Sequence, residues 1–291
     1  MGAHFFVRER GYCREIHASP IRDRQVHKTL THEFLIPAFS PSMINNNGAS
    51  QKGKGLHFHF RLLANQLRRY YRKHGRDGGI LLMDYSKFFP SVPHRTLYDR
   101  HERYLLDPPL RLLADDIVHF VPGGQGMYMG VELSQIEMVS LPSPIDNWAK
   151  CQMQADIAHY MDDYELVDDM EKLKIVREGF IDRSLAMGLK INPKKCQIVP
   201  LTKPFKFCKA KFYLTETGKV VIHGNRDSLS RYRRKMRKFR TMLDKGQISP
   251  DVPAQLVIAM HGYYSNYNDH GRCLIVDRTY HSMFVEPALA A

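Results

Sequence analysis

The chain contains 291 residues, and its apolar share of 43% is enough to build a full hydrophobic core. This composition excludes a disordered tail. Lysine and arginine number 43 against 30 acidic residues, so the formal net charge is +13 at pH 7. Such an excess favours a polyanionic partner such as nucleic acid, because phosphate neutralisation releases counterions and supplies sequence-independent affinity. On charge alone, a basic protein that binds no nucleic acid remains the alternative.

Cysteine usage and hydropathy indicate where the protein works. The five cysteines are widely spaced and include no CxxC pair, which argues against a disulfide framework or a zinc site. We therefore expect a reducing, cytoplasmic environment. No apolar stretch approaches the length needed to cross a bilayer, so we expect no membrane partner.

The first eighty or so residues predict a hairpin, two helices and a strand. The stretches HFFVRER and CREIHAS flank Gly11 and Tyr12 and are typical of a β-hairpin. Apolar residues at helical spacing predict a helix that ends at Pro37, followed by the polar loop NNNGASQKGKG and an amphipathic helix over LHFHFRLLANQLRRYYRKHG. The apolar run ILLMDYS then predicts a buried strand with Asp84 at its end.

The middle of the chain predicts helices followed by an acidic hairpin. Helical segments end at the glycine cluster GGQGMYMG, and Pro142 and Pro144 interrupt a further helix predicted from Ser134. The segment DIAHYMDDYELV predicts two strands joined by a tight turn, with Asp162 and Asp163 at its tip.

The last third of the chain predicts a helix over about residues 169–188, a strand pair through KFYLTETGKVVI and a basic helical tail. In the tail, RDSLSRYRRKMRKFRTML places an apolar residue every three or four positions and basic residues on the opposite face. Packed by its apolar stripe, this helix could present basic side chains to the backbone of a nucleic-acid duplex, namely Arg231, Arg234, Lys235 and Lys238. A solvated basic face is the alternative.

Asp84, Asp162 and Asp163 are the candidate catalytic residues. Nucleotidyl transfer requires the attacking hydroxyl, the phosphorus and the leaving pyrophosphate to be held in line while negative charge is neutralised. Two divalent ions about 4 Å apart meet this need, and they require carboxylates from separate chain segments. An aspartate at a strand end plus a pair at a hairpin tip supply that geometry. Other Asp-Asp pairs are commonly solvated helix positions or caps, as we expect for residues 115–116 and 168–169.

Five motifs resemble those of reverse transcriptases, in the family's order and spacing. YMDD resembles the metal-binding motif, and DYSKFFPSVPH resembles the first aspartate motif in the form found among bacterial retroelements. MGVELSQ resembles the GxxxSQ motif that supports template and nucleotide. GLKINPKKCQIV resembles the family's lysine-bearing motif, and FKFCKAKF resembles the strand pair that holds the primer. In two departures, Cys196 replaces a usually hydroxylated residue, and Cys208-Lys209 replaces leucine-glycine. The resemblance covers nearly the whole chain and indicates a reverse transcriptase of bacterial or phage type.

The resemblance implies an α+β fold of the right-hand polymerase type. We expect fingers over residues 1–79, a palm with an antiparallel sheet and inserted finger helices over residues 80–222, and a helical thumb over residues 223–291. The implied partners are an RNA template, a DNA primer and deoxynucleoside triphosphates, and an accessory protein is left open. Because the chain starts almost at the fingers hairpin, we also expect shorter fingers than in typical relatives, which puts full activity in question.

The family pattern also implies the metal ligands. Asp84 and Asp162 would ligate two magnesium ions, with manganese as the alternative metal, while Asp163 lies nearby and the Tyr85 carbonyl adds an oxygen. Magnesium favours such oxygen-rich, partly hydrated sites. Lys195 matches the lysine that protonates pyrophosphate as a general acid, although it could equally be a solvated loop lysine.

The nucleotide-binding residues implied by the resemblance are Arg14, Tyr85, Phe89 and Gln135. Phe89 matches the aromatic residue that crowds a ribose 2′-hydroxyl and so favours deoxynucleotides, with a core phenylalanine as the alternative. Arg14 matches the arginine that clamps the triphosphate, a role suited to a planar bidentate donor, with an ordinary exposed hairpin arginine as the alternative.

Gln135 also bears on the subclass. Most reverse transcriptases have Ser-Pro where this chain has Ser134-Gln135, and Ser-Gln resembles the enzymes of diversity-generating retroelements, which copy a template RNA with frequent errors at adenines. A changed contact beneath the templating base would loosen selection by fit. Met129 departs from the smaller aliphatic residue usual in that group. A retron-type or defence-type reverse transcriptase, and a non-catalytic RNA-binding scaffold, are the alternatives. A group II intron maturase is disfavoured because no nuclease domain rich in cysteine or histidine follows the thumb.

Overall fold

A computed structural model describes residues 3–9 and 12–285, which divide between Pro200 and Leu201 into two compact units. Each unit combines helices with an antiparallel sheet, and this confirms the predicted α+β class. No described helix combines the length and the apolar character that a bilayer crossing requires.

The first unit contains a hairpin, a four-stranded sheet and helices on both faces of that sheet. Its strands are β1 (Ala3–Glu9), β2 (Tyr12–Ala18), β3 (Gly79–Asp84), β4 (Ile157–Tyr160), β5 (Asp163–Asp168) and β6 (Gln197–Pro200). Its helices are α1 (Ile21–Thr29), α2 (Ile36–Phe39), α3 (Leu56–His74), α4 (Phe88–Ser91), α5 (His94–Tyr104), α6 (Pro108–His119), α7 (Glu132–Ser140), α8 (Ser143–Asn147) and α9 (Met170–Ala186). The break between α7 and α8 confirms the interruption predicted at Pro142, but the interruption predicted at Pro144 is wrong because that proline lies in the first turn of α8.

The predicted N-terminal hairpin is confirmed. Strands β1 and β2 pair antiparallel from Ala3 opposite Ala18 to Glu9 opposite Tyr12. The turn that contains Gly11 lies outside the described residues.

The helix expected to end at Pro37 continues to Phe39, so that boundary is wrong. Between α1 and α2 the chain forms a π-helical segment, Leu30–Leu35. Proline has no backbone N–H and normally ends the helical hydrogen-bond ladder. The wider π turns directly before Pro37 change which carbonyls receive a hydrogen bond, and this lets the helix pass the proline.

The four-stranded sheet has the order β4-β5-β3-β6, and every neighbouring pair is antiparallel. Strand β3 is buried along its whole length, as predicted from its unbroken apolar run. On β5 the Tyr164 ring packs against Phe180 of α9, with centroids 4.9 Å apart, while the next residue, Glu165, lies 3.7 Å from His59 of α3. Because neighbouring side chains point to opposite faces of a strand, α3 and α9 cover opposite faces of the sheet.

The two further Asp-Asp pairs have different roles. Asp169 caps α9 by accepting a hydrogen bond from the Lys172 backbone N–H at 2.9 Å, which confirms the predicted cap. Asp115 instead bonds to the buried His101 ring at 2.6 Å, and the other nitrogen of that ring bonds to Glu137 at 2.9 Å. The prediction of a solvated or capping role for Asp115 is therefore wrong. Its carboxylate helps to join α5, α6 and α7.

The second unit contains a three-stranded sheet and a helical part. Its elements are β7 (Phe205–Phe207), β8 (Ala210–Leu214), β9 (Val220–His223), α10 (Arg226–Asp244), α11 (Asp251–Ser265) and α12 (His270–Tyr280). The turn between β7 and β8 consists of Cys208 and Lys209, whose φ angles of +43° and +68° are both left-handed, as in a type I′ turn. Helix α10 is amphipathic as predicted, with Tyr232 and Met236 buried. Its exposed basic residues include Arg231, Arg234, Lys235 and Lys238.

Candidate active site

The backbone brings two of the three candidate aspartates side by side. Asp84 is the last residue of β3 and pairs in register with Asp163, the first residue of β5. Asp162 lies in the two-residue turn between β4 and β5, immediately after Met161, whose φ of +58° is left-handed. The sequence predicted this meeting of a strand end with a hairpin tip, and the register of the two strands produces it.

The carboxyl groups of the aspartates interact strongly. The pKa of Asp162 is raised from its ordinary 3.8 to about 7, first by burial and then by the negative charges of Asp163 and Asp84 and a hydrogen bond to Asp84. Two carboxyl groups can share a hydrogen bond only when one of them keeps a proton. Placing three negative charges here is therefore unfavourable unless cations compensate them.

Lys195 belongs to the same cluster. Its ammonium group forms an ion pair with Asp84 Oδ2. Burial alone would lower the pKa of Lys195, but the hydrogen bond to Asp84 and the charges of all three aspartates raise it. Lys195 is therefore protonated at neutral pH, the form that a general acid requires. It is not an isolated loop lysine, although its role towards pyrophosphate stays a prediction.

The donor set of the aspartates fits divalent cations that prefer oxygen. Asp84 Oδ1 is buried and accepts no hydrogen bond from any described residue, so this oxygen is available to coordinate a cation. Within the described part of the chain, only His4, Glu15 and His17 place one ligand atom each within 4.8 Å of one another, so the three aspartates are gathered less tightly than that. Two ions about 4 Å apart, each bound by a subset of the carboxylates, suit this spacing.

Tyr85 can contribute only its backbone to this site. Its ring is buried and stacks on Phe88 at 4.8 Å, and its hydroxyl lies 3.2 Å from Ser184 Oγ. Burial raises the pKa of the Tyr85 hydroxyl well above its ordinary value, so the phenol stays neutral. The predicted ligand role, which uses the main-chain carbonyl, is compatible with this placement.

Phe89 and Arg14 lie in different surroundings. Phe89 is half-buried beside the core and forms an edge contact with Phe88 at 6.1 Å, while its carbonyl accepts a hydrogen bond from Met127 at 2.8 Å. Arg14 lies on β2 opposite Val7 with an exposed side chain. The proposed contacts of both residues with a nucleotide stay predictions.

Gln135 is connected to the aspartate turn through the polar loop. Its exposed side chain accepts a hydrogen bond from Ser50 Oγ at 3.2 Å, and the same hydroxyl lies 3.8 Å from Met161 Sδ. The loop itself is fixed to β4, because the Gly48 N–H donates to the His159 carbonyl at 2.9 Å. The loop therefore brings the Ser-Gln motif and the YMDD turn into one neighbourhood.

Comparison with known families agrees with this geometry. The family model described as reverse transcriptase (RNA-dependent DNA polymerase) matches residues 11–208. The chain belongs to the reverse transcriptase family. The matched region contains all three aspartates and Lys195 of the candidate site.

Solved telomerases share the fold of this reverse transcriptase. Telomerase from Candida albicans, in complex with a TWJ fragment of telomeric RNA, is 11% identical, has a TM-score of 0.53, and aligns over 76% of this chain and 45% of its own. Two structures of apo telomerase from Candida tropicalis, one truncated from the C-terminal domain, are each 12% identical over 75% of this chain. They have TM-scores of 0.51 for the truncated form and 0.55 for the other, with 54% and 47% of their own chains covered. The chain thus spans about half the length of these telomerases. No curated protein is significantly similar to it in sequence.

A buried histidine behind the aspartate turn was not predicted from the sequence. His159 of β4 is fully buried, and its Nδ1 lies 3.0 Å from the Met161 carbonyl oxygen. Its Nε2 lies 3.1 Å from Asp146 Oδ2 of α8, and its ring stacks on Tyr164 at 4.5 Å. Burial alone would lower the pKa of His159, but the nearby Asp146 carboxylate and the hydrogen bond to the Met161 carbonyl raise it. The available signal was an ionisable residue inside the apolar strand that leads into the reverse transcriptase motif YMDD.

The raised pKa of Asp162 predicts a pH-dependent cost to folding in the absence of divalent ions. Because the folded-state pKa of about 7 lies above the ordinary 3.8, the folded state holds this proton more tightly, and the resulting stability is lost as pH rises through about 7. We expect Asp162→Asn to melt at the same temperature as the parent protein near pH 4, and at a higher temperature near pH 8. Thermal melts in EDTA measure this difference, and an offset that does not change with pH would contradict it.

Proposed function

We propose that this chain is an RNA-directed DNA polymerase that extends a primer by nucleotidyl transfer, with two divalent metal ions held by Asp84, Asp162 and Asp163. The observation that carries this proposal is the meeting of the three carboxyl groups at the ends of β3 and β5, where burial and then the charges of Asp163 and Asp84 raise the pKa of Asp162 to about 7. In a non-catalytic scaffold this arrangement would only destabilise the fold, because the negative charges of the carboxylates repel one another. Bound magnesium or manganese ions would neutralise the phosphates and favour ionisation of the primer hydroxyl.

The surrounding residues have roles that suit this chemistry. Lys195, protonated beside Asp84, donates a proton to the leaving pyrophosphate. Phe89 packs beneath the sugar and disfavours a 2′-hydroxyl. Arg14 on the hairpin binds the triphosphate, and the backbone carbonyl of Tyr85 adds an oxygen to the metal site.

The proposed partners are an RNA template, a DNA primer and deoxynucleoside triphosphates in the cytoplasm. An RNA:DNA hybrid approaches A-form and can be bound through its shape and phosphates without base recognition. The exposed basic face of α10 suits such a role, since it presents Arg231, Arg234, Lys235 and Lys238 on one amphipathic helix. We retain the division into fingers up to residue 79, palm up to residue 222 and thumb beyond it as part of this proposal.

Primer extension on a defined RNA template tests the function. Incorporation should require the template, should stop when EDTA removes divalent ions, and should return when magnesium or manganese is restored. Binding of the primer–template duplex, measured in parallel by gel shift, separates catalysis from a scaffold role. Tight duplex binding without incorporation under any metal condition would refute the polymerase proposal and favour the scaffold.

The subclass we propose is the enzyme of a diversity-generating retroelement. The support is Gln135 in the Ser-Gln motif, together with the hydrogen bond that ties its side chain to Ser50 beside the aspartate turn. A retron-type or defence-type enzyme is the rival within the same fold. Neighbouring DNA separates them, because a diversifying element should lie beside a variable gene and a near-identical template repeat.

Gln135 makes a separate prediction about fidelity. We expect products copied from RNA to carry errors concentrated opposite template adenines, and Gln135→Ala to lower that bias several-fold because the contact beneath the templating base changes. Ser50→Ala is the matched control, since it removes the same hydrogen bond but keeps the glutamine. Sequencing of single products measures both. Errors distributed evenly over the four template bases in the parent enzyme would count against the subclass but not against the polymerase proposal.

A further inference from the structure

The N-terminal hairpin carries a compact set of metal-ligating side chains outside the active site. His4 on β1 lies directly opposite His17 on β2, and Glu15 lies two residues before His17. Because side chains alternate along a strand, all three project from the same face of the hairpin. His4 Nε2 lies 2.6 Å from Glu15 Oε1, and the centroids of the two imidazole rings are 4.5 Å apart.

This set is the most tightly gathered one in the described part of the chain. Over residues 3–9 and 12–285, only these three residues offer one ligand atom each with all the atoms within 4.8 Å of one another. Tetrahedral zinc with bonds of about 2.0–2.2 Å places neighbouring ligand atoms about 3.3–3.6 Å apart. The His4–Glu15 pair at 2.6 Å would therefore open, and the wider pairs would close by up to about 1.5 Å, shifts that exposed rotamers can make. His4 and Glu15 are exposed, so ions have direct access.

The third ligand, His17, is held in place by contacts with other residues of the first unit. The His17 ring stacks on Tyr128 with centroids 3.6 Å apart and planes 17° apart. The His17 backbone N–H donates to the Met129 carbonyl at 3.0 Å. Gly130 permits this approach, because its φ is +103° and a Cβ atom there would lie 2.6 Å from the His17 carbonyl oxygen. The hairpin is therefore docked at the position of its third ligand.

We propose that His4, Glu15 and His17 form a second metal site that binds zinc or a similar transition-metal ion and fastens β1 to β2. Two imidazoles and one carboxylate are a donor set that suits zinc, with the fourth position left for water. Magnesium prefers the all-oxygen aspartate cluster, so the chemistry of the donors separates the two sites. The wide spacing of the cysteines disfavours a zinc site built from thiolates, and the proposed site contains no cysteine.

Zinc titration of the whole chain tests the proposal independently of polymerase activity. With millimolar magnesium present to occupy the aspartates, we expect one zinc ion per chain to bind, measured by competition with a chromophoric chelator. His4→Gln and His17→Gln should each weaken binding by on the order of 100-fold, because each removes one of three protein ligands. His4 is exposed and His17 is half-buried against Tyr128, and circular dichroism checks that both variants fold.

Two control variants make the ligand assignment specific. Cys13→Ser removes an exposed thiol on the same strand and the same face, and it should leave zinc affinity unchanged because Cys13 is not one of the proposed ligands. Asp162→Asn should also leave zinc affinity unchanged, because it belongs to the other site. The absence of zinc binding tighter than about 100 μM in the parent protein would overturn the proposal, as would wild-type affinity in His4→Gln. A loss of affinity in Cys13→Ser would overturn the assigned ligands.

Discussion

Asp162→Asn should lower the rate of primer extension on an RNA template by on the order of a thousandfold or more, because a neutral amide cannot replace a carboxylate that holds cations against the triphosphate. Metal-ion stabilisation of transition-state charge contributes several kcal/mol, and each 1.36 kcal/mol is about tenfold in rate. Single-turnover incorporation of one nucleotide at saturating magnesium measures the effect. Incorporation at the parent rate would sink the proposed mechanism.

The stability of the same variant separates lost chemistry from lost structure. Burial and the charges of Asp163 and Asp84 already disfavour the ionised form of Asp162, so the neutral amide should not destabilise the fold. Asp182→Asn on α9 is the matched control, because it removes an exposed aspartate in the same unit. We expect the control to keep both the melting temperature and the incorporation rate of the parent. Equal losses in the two variants would point to a general charge effect.

Much of the site could be predicted because local patterns determine it. The unbroken apolar run before Asp84 indicated a buried central strand, and the apolar segments on either side of YMDD indicated a hairpin. The pairing of Asp84 with Asp163 then follows from the packing of that hairpin beside β3, which no local pattern encodes. The convergence of the three carboxylates was predicted from the sequence, whereas the residue that pairs with Asp84 was not.

The rest depends on contacts between residues far apart in sequence. The Asp146–His159 pair joins α8 to β4, and neither residue belongs to a recognisable motif. Asp115 was expected to be solvated because its hydrogen-bond partner, His101, lies on another helix and cannot be identified from the local sequence pattern. The passage of a helix through Pro37 depends on π turns, whose hydrogen-bond pattern leaves no clear mark in the sequence. Side-chain periodicity reports burial but not the identity of buried polar partners.

His159 should be the positioning residue with the largest effect on catalysis, although it is not itself a ligand in the proposed metal site. Its ring links Asp146 to the Met161 carbonyl, directly before Asp162 in the turn. Met161 is left-handed, with a φ of +58°, a conformation that costs a non-glycine residue about 1–3 kcal/mol unless its surroundings hold it. The imidazole N–H that donates to the Met161 carbonyl supplies part of that support.

Removal of the His159 ring alone is a poor test, because it leaves the Asp146 carboxylate buried without its partner. The His159 ring lies 3.1 Å from the Asp146 carboxylate inside the core, and removing one partner of a buried ion pair costs about 3–5 kcal/mol. His159→Ala is therefore expected to unfold more readily for reasons unrelated to the turn. Asp146→Asn removes the charge first, and a neutral His159 can still donate from Nδ1 to the carbonyl.

Two substitutions in the Asp146→Asn background then isolate the hydrogen bond to the turn. The amide N–H of His159→Asn can occupy the place of Nδ1, whereas that of the longer His159→Gln reaches the place of Nε2 and leaves the Met161 carbonyl without a donor. We expect kcat in the glutamine variant to fall about 10-fold to 100-fold below that of the asparagine variant, with little change in KM, because a turn displaced by about 1 Å misplaces the carboxylate of Asp162. Steady-state incorporation with matched melting curves measures this split. Equal kcat values in the two variants would show that His159 only fills space behind the turn.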